Sequence, residues 1–393
     1  KYTINQNKSD DYGPAIWNPA PPCNYSSRNG VAVSAITIHT IQGSYAGAIS
    51  WAQNCDSNVS YHYVIRSSDG QITQMVSETI KAWHVGSENP YTIGYEHEGY
   101  VNNAAWYTEA MYNSSADLSR DIVNSGYGIP GLRTYYGASS STVQVLGGCT
   151  KIKGHQHYPN QSHTDPGINW NWEKYYRLIN NNPAITTITT PTGNFYDSGG
   201  ASGNYTNDER LLWLFQPPGA YSVALNFSSF STEAGYDRMF IYNGATINAP
   251  LIGSYMGTNS PGNVNSSGGN LLVEFRSDCA TVSSGWAANI SSTSADNQAP
   301  VSTVINAPEW ITQDFSATIS DNDNIGVVGR YYLVSDLDPS TGKWSSNGTL
   351  GYVNEEFEMD ALGWNSLVGT FTHQDAQYRQ TNTTEQNTNA YFE

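Results

Sequence analysis

Charge is scarce in this chain, and positive charge is scarcest. Only 13% of the 393 residues are Asp, Glu, Lys or Arg, with 17 basic against 34 acidic and a net charge of −17. No cluster of Lys and Arg is present that could neutralise a phosphate backbone, which excludes nucleic acid as the partner. Long apolar runs are missing too: none approaches the roughly 18 to 20 residues needed to cross a bilayer. Cysteine is limited to Cys23, Cys55, Cys149 and Cys279, too few for a disulfide scaffold and with no CxxC pair. They allow one disulfide within the first domain, its partners left open. No signal sequence precedes the chain, which starts at Lys1; this fits a mature secreted protein, extracellular or periplasmic, whose signal has been removed, or else a trimmed chain.

What is plentiful points the same way. Gly (36), Tyr (28) and Trp (11) are abundant, and Ser, Thr and Asn fill the turns. This is the composition of an extracellular, loop-rich protein that grips polar sugars with aromatic faces. The length suggests two or three domains.

The first of these, residues 1–182, reads as mixed α/β. Val31 to Thr40, Ser60 to Ser67, Gln71 to Ser77 and Tyr91 to Glu98 have strand composition. Helical spacing links Tyr45, Ala48, Ile49 and Ala52, and again Tyr107, Met111, Leu118 and Ile122; a third helix covers Trp170 to Asn180. Residues 183–194, with prolines and a threonine-rich run, read as a linker. From 195 to 293, short alternating runs such as Tyr221 to Phe227, Arg238 to Tyr242 and Asn270 to Phe275 announce an antiparallel β-sandwich. A second break at 294–302 precedes a β-rich region, 303–393, which looks truncated. There Asp321, Asp323, Asp336 and Asp338 read as ordinary turn residues.

The chemistry concentrates around three positions. His39 ends the apolar run Ala35-Ile36-Thr37-Ile38, His155 follows the strand-like Thr150-Lys151-Ile152-Lys153, and Asp165 opens an Asp-Pro-Gly turn. Two imidazoles and a carboxylate converging at one sheet edge would leave a fourth tetrahedral position for water, the pattern of a catalytic zinc site. Such an ion polarises a carbonyl and lowers the pKa of its water from 15.7 to roughly 7, which suits a poorly electrophilic amide.

Asp165-Pro166-Gly167 stands ten residues after His155, with Ala82-Trp83-His84-Val85-Gly86 and Ile93-Gly94-Tyr95-Glu96-His97-Glu98-Gly99 further upstream. This order of motifs resembles the zinc-dependent N-acetylmuramoyl-L-alanine amidases related to phage lysozyme-type amidases and peptidoglycan recognition proteins, over about Tyr12 to Asn180. The resemblance implies an α/β domain with a mixed central sheet that holds zinc on His39, His155 and Asp165. It further implies cleavage of bacterial peptidoglycan between N-acetylmuramic acid and L-alanine of the stem peptide. Glu96 falls where the family places its acid/base carboxylate; Glu98, two residues on, shares its strand face. His163 matches an oxyanion-stabilising position where relatives carry lysine or histidine, so its help would depend on pH. Tyr61 matches a tyrosine that some phage-type relatives place beside the reacting water and many replace with alanine, so it is read either as a catalytic helper or as a wall residue. His84 either lines the substrate groove, with Trp83 packed beneath it, or is structural. His62 is read as a core residue and His157 as a surface one, while His97 carries no signal. The rival reading is a binding protein that recognises stem peptides without cutting them, but that class would be expected to lack a ligand, and all three are present.

Asp197-Ser198-Gly199-Gly200 to Tyr205, Trp213 to Gly219, Phe230 to Asp237 and Arg276-Ser277-Asp278 together resemble a CUB domain of jelly-roll type, without most of that family's cysteines. The resemblance implies a calcium ion held by Glu233, Asp237 and Asp278. Sandwiches of this kind would anchor the enzyme on its polymer or on a protein partner.

Overall fold

The structure, a computed structural model, describes residues 8–294, 299–305 and 318–323, together with the backbone of short strands between 330 and 392. Contacts divide the chain into a unit Lys1–Thr293 and a unit Ser294–Glu393.

The first unit begins with a six-stranded sheet. Its strands are β1 (Ile16–Trp17), β2 (Ala35–Thr40), β3 (Tyr63–Ile65), β4 (Ile72–Gln74), β5 (Thr92–His97) and β6 (Ile152–Gly154), in the order β1-β4-β3-β5-β2-β6. Only β3 and β4 run antiparallel; every other pair is parallel. All six residues of β2 are buried, as a central parallel strand covered on both faces requires. Ile36 and Ile38 join a core that includes Met111, Leu118 and Ile122 of helix α2 (Glu109–Asn124) and Tyr175 and Ile179 of α3 (Trp172–Ile179). By alternation Thr37 and His39 take the opposite face.

That opposite face is covered by α1 (Tyr45–Ala52), whose Tyr45, Ala48 and Ala52 pack with Tyr61 and Val64. Ser44 caps the helix by accepting from the Gly47 N–H at 3.2 Å. Glu98 completes the cap: one carboxylate oxygen accepts from the Tyr45 N–H and the other from the Ser67 N–H, each at 2.9 Å. The carboxylate that shares the alternation of Glu96 is therefore committed to a helix start, where negative charge is favoured. Tyr107 precedes α2, and its hydroxyl donates to the Pro166 carbonyl at 2.9 Å.

The second half is a sandwich. Its strands are β7 (Ile185–Ile188), β8 (Gly193–Tyr196), β9 (Arg210–Phe215), β10 (Ala220–Ser231), β11 (Arg238–Tyr242), β12 (Leu251–Tyr255), β13 (Asn263–Asn265), β14 (Leu271–Arg276) and β15 (Gly285–Ser294). Sheets β8-β15-β10-β13 and β12-β11-β14-β9-β7 enclose Phe195, Phe215, Val223, Leu225, Val273, Phe275 and Trp286. Residues expected as a linker supply β7, which pairs in parallel with β9. The β-branched run Ile185-Thr186-Thr187-Ile188 explains the change, since such residues fit a pleated edge better than a free coil.

The outer face of the five-stranded sheet is not solvated. Arg210, Leu212, Phe240, Tyr242, Leu272, Glu274 and Arg276 are all buried there. Glu274, 0% exposed, accepts from Arg210 Nε at 2.7 Å and from Arg276 Nε at 2.8 Å. Arg276 reaches on to Glu173 of α3 at 2.7 Å, with its guanidinium 4.6 Å from the centre of the Tyr176 ring. Arg177, also on α3, lies 3.7 Å from Glu274 and donates to the Tyr242 hydroxyl. Cys23 and Cys55 form a disulfide within the α/β half, whereas Cys149 and Cys279 form one that crosses to the sandwich.

In the second unit, Val301–Ile305 pairs antiparallel with Thr318–Asn322, and further antiparallel pairs continue to Ala390–Phe392. Val301, expected in a linker, opens a strand, and Asp321 lies in a strand where a turn was expected. Residues 295–298 of that expected linker and Asp336 lie outside the described residues.

Candidate active site

His39 is the fifth residue of β2 and stands beside Glu96 of β5 in the parallel register, so both side chains leave the same sheet face. Strand β6 runs directly into the turn that presents His155, and Asp165 reaches the same point from the other end of the loop that follows. His39 Nδ1 lies 3.0 Å from Asp165 Oδ2, and His155 Nδ1 lies 3.3 Å from Asp165 Oδ1. The three donor atoms sit within 4.8 Å of one another. A tetrahedron with zinc-to-nitrogen distances of about 2 Å has edges of about 3.3 Å, so the donor set and its spacing both fit a zinc ion.

The other ring nitrogens are committed in a way that frees these donors. His39 Nε2 bonds His84 Nδ1 at 2.9 Å, and His84 Nε2 bonds the Thr92 hydroxyl at 3.2 Å. The Thr92 hydroxyl in turn donates to the Glu88 carbonyl at 2.9 Å. When an ion replaces the proton between His39 Nδ1 and Asp165, proton directions along this chain leave the Nδ1 lone pair of His39 to take it. His155 does the same, with its Nε2 donating to Gln161 Oε1 at 2.9 Å. Partners of this kind fix a ligand's tautomer and orientation. A Cβ on Gly94 would lie 2.4 Å from His84 Nδ1, so glycine alone lets that ring lie across β5.

Burial pushes His39 down to about 4, against the pull of its bond to Asp165. Burial opposes ionisation of Asp165, but its bonds to His155 and His39 outweigh it and hold the carboxyl well below the usual range. Glu96 behaves oppositely: burial, then the Asp165 charge, raises its carboxyl well above the usual range. Its Oε2 is buried and has no protein partner. The site thus contains one carboxyl held ionised and one inclined to carry a proton, a division suited to ligand and acid/base roles.

His163 is largely exposed, stacks on His155 with ring centres 4.4 Å apart, and brings Nδ1 to 3.8 Å from Asp165. Tyr61 is 3% exposed and its hydroxyl donates to the Ala48 carbonyl, so it ties α1 to the sheet and its hydroxyl is already engaged. Trp83 does not lie beneath His84: its indole donates to Ser26 Oγ at 3.0 Å, turned toward the neighbouring strand pair while His84 turns to His39. His62 is buried, as expected, and accepts from the Gly94 N–H at 3.0 Å. His157, expected at the surface, is buried among Tyr135 and Trp172 and accepts from the Gly154 N–H at 3.0 Å; the aromatic neighbours, distant in sequence, decide its burial.

Two supporting residues escaped the sequence reading. His97 Nδ1 donates to the His39 carbonyl at 2.9 Å, while its Nε2 bonds Ser115 Oγ at 2.8 Å. Alternation along β5 places it opposite Glu96, which was a usable signal. Gln161, in a polar loop, offered none.

In the sandwich, Glu233, Asp237 and Asp278 form a second cluster with donor atoms within 4.8 Å. Asp237 is fully buried and accepts from Tyr205 at 2.5 Å and from the Asp278 N–H at 2.8 Å. Burial pushes Asp237 up to about 7, with Asp278 and Glu233 adding to the rise. Glu233 Oε2 is buried without a protein partner.

Residues 29–168 match the N-acetylmuramoyl-L-alanine amidase family, and residues 185–290 match the CUB domain family. The chain is 44% identical over 171 residues to N-acetylmuramoyl-L-alanine amidase A of Achromobacter lyticus, across 43% of this chain and 96% of that protein. It is 31% identical over 137 residues to human (Homo sapiens) cubilin, across 33% of this chain and 4% of cubilin. A crystal structure of the Staphylococcus aureus hydrolase AmiA in complex with its ligand aligns at 21% identity and a TM-score of 0.32, across 42% of this chain and 80% of that one.

Proposed function

The chain belongs to the N-acetylmuramoyl-L-alanine amidase family, and from that premise we propose that it is a secreted, zinc-dependent hydrolase of bacterial peptidoglycan. The bond cut is the amide between N-acetylmuramic acid and the L-alanine of the stem peptide. The observation that carries the proposal is the His39, His155 and Asp165 donor set beside the buried, unpartnered oxygen of Glu96.

A zinc ion held by those three residues supplies, when bound, the positive charge that polarises the scissile carbonyl and acidifies a water. Glu96 takes the proton of the attacking water at Oε2 and delivers it to the departing nitrogen of L-alanine, which would otherwise leave as a poor anion. His163, exposed at the rim, donates to the carbonyl oxygen as negative charge builds there. His84 and Gln161 keep His39 and His155 in the tautomers that present Nδ1. Two disulfides support action in an oxidising compartment. Among the described residues no helix is long and apolar enough to cross a membrane.

Mass spectrometry of purified muropeptides tests the reading. Free stem peptides beginning with L-alanine are expected from the native protein, none after chelation, and recovery with restored zinc. Muropeptides that are bound but never cut would sink the hydrolase reading in favour of recognition.

The second cluster supports calcium, a hard ion that takes carboxylates from separate loops. Extracellular calcium modules bind at about 10⁻⁴ to 10⁻³ M, so 10 mM calcium should stabilise the fold by about 1.4 to 2.7 kcal/mol. Calorimetry should show that rise in Tm for the native protein and none for Glu233→Gln; an equal rise in both removes Glu233 from the site.

A further inference from the structure

A strap of chain connects the sandwich to the candidate zinc ligands. Cys279, bonded to Cys149, directly follows Asp278 of the acidic cluster. Upstream of Cys149 the segment 138–149 contains no helix or strand, and most of its residues are exposed. Little apolar burial holds it in place, so its position depends on a few specific bonds. The Gln144 N–H donates to the Gln156 carbonyl at 3.0 Å, and the Leu146 N–H donates to the His157 carbonyl at 3.1 Å.

Gln156 gathers these bonds at one point. It directly follows His155 and is fully buried. Its side-chain nitrogen donates to the carbonyls of Ser140 at 3.1 Å and Thr142 at 2.9 Å, both on the strap. Its side-chain oxygen accepts from the Gly167 N–H at 3.1 Å, two residues past Asp165. Its backbone N–H donates to the Asp165 carbonyl at 3.0 Å. One residue therefore joins the strap to both ends of the loop that carries two of the three donors.

We propose that Gln156, steadied by the strap that the Cys149–Cys279 bond anchors to the sandwich, is a positioning residue for His155 and Asp165, so that the second domain braces the metal site of the first. The proposal rests on the reading of His39, His155 and Asp165 as a zinc site. Such a brace acts through geometry: donors held at tetrahedral spacing before the ion arrives need no ordering when it binds.

The test compares the unaltered protein with the double variant Cys149→Ala/Cys279→Ala and, separately, Gln156→Leu. Cys23→Ala/Cys55→Ala is the control for loss of a disulfide elsewhere. With calcium present to occupy the acidic cluster, zinc affinity is measured by chelator competition, and the visible spectrum of the cobalt-substituted protein reports ligand geometry. The expected result is a rise of about 10- to 100-fold in the zinc Kd and an altered cobalt spectrum in the double variant and in Gln156→Leu, with neither change in the control. Circular dichroism establishes that each variant is folded, and Gln156→Leu carries the test if the double variant is not. One zinc per chain held with unchanged affinity in both test variants, with only Tm lowered, overturns the brace. Failure of the unaltered protein to bind stoichiometric zinc overturns the metal reading itself, and the brace with it.

Discussion

Glu96→Gln is expected to lower kcat by about two to four orders of magnitude, the usual contribution of a positioned acid/base group, while one zinc per chain remains bound. Glutamine matches the shape of the side chain but cannot take up or deliver a proton. The carboxyl stands beside His39 in the sheet register, its Oε2 is buried without a protein partner, and burial raises its affinity for a proton. None of these features serves packing, since an unpartnered buried oxygen is costly to the fold. Removing the charge should therefore leave the melting temperature equal or higher while activity collapses. A variant retaining more than about a tenth of native kcat, where loss of a general acid/base typically costs 10²-fold or more, would show that another group carries the proton.

Glu274→Leu is expected to destabilise the first unit by about 3 to 5 kcal/mol, because it strands Arg210 and Arg276 in a buried place without their shared carboxylate. Calorimetry should show the lower Tm and the separation of one unfolding transition into two, as the sandwich loosens from α3. Burial opposes ionisation of Glu274, but Arg276 and Arg210 outweigh it and hold the carboxyl below its ordinary range. The folded state then binds fewer protons than the unfolded one, so this stabilisation is fully present above the unfolded pKa of 4.5 and is lost progressively as pH falls from there through the lower folded value. The native protein should lose stability toward low pH more steeply than Glu274→Leu. Replacing all three charges, as Glu274→Leu with Arg210→Met and Arg276→Met, should recover most of the loss, because the cost lies in unpaired charge.

Much of the candidate metal site was legible because its residues sit where periodic elements end. The apolar run before His39, the strand before His155 and the Asp-Pro-Gly turn each locate a candidate ligand by local pattern, and Glu96 follows from the resemblance of Ile93-Gly94-Tyr95-Glu96 to the family's motif. Trp83 was misplaced for the same reason that His157 was, and the two roles open to Tyr61 could not be told apart: their environments are set by partners distant in sequence, Ser26, Trp172 and Ala48 respectively. No pattern in the strand Leu271-Leu272-Val273-Glu274-Phe275-Arg276 tells that its charged positions face another layer of the same unit. Alternating polar residues ordinarily mean water on that side. The Cys149–Cys279 pair was equally hidden, since spacing alone does not select partners 130 residues apart.

The buried charged face between α3 and the five-stranded sheet also sets what kind of tool this protein can be. Binding modules on slack tethers let a catalyst sweep a sphere around its anchor, and the gain depends on the length and stiffness of the leash. Here ion pairs, a guanidinium lying over a tyrosine ring and a covalent bond close the junction. The acidic cluster of Glu233, Asp237 and Asp278 is thereby held at a fixed distance and angle from His39, His155 and Asp165, like the two jaws of a set caliper.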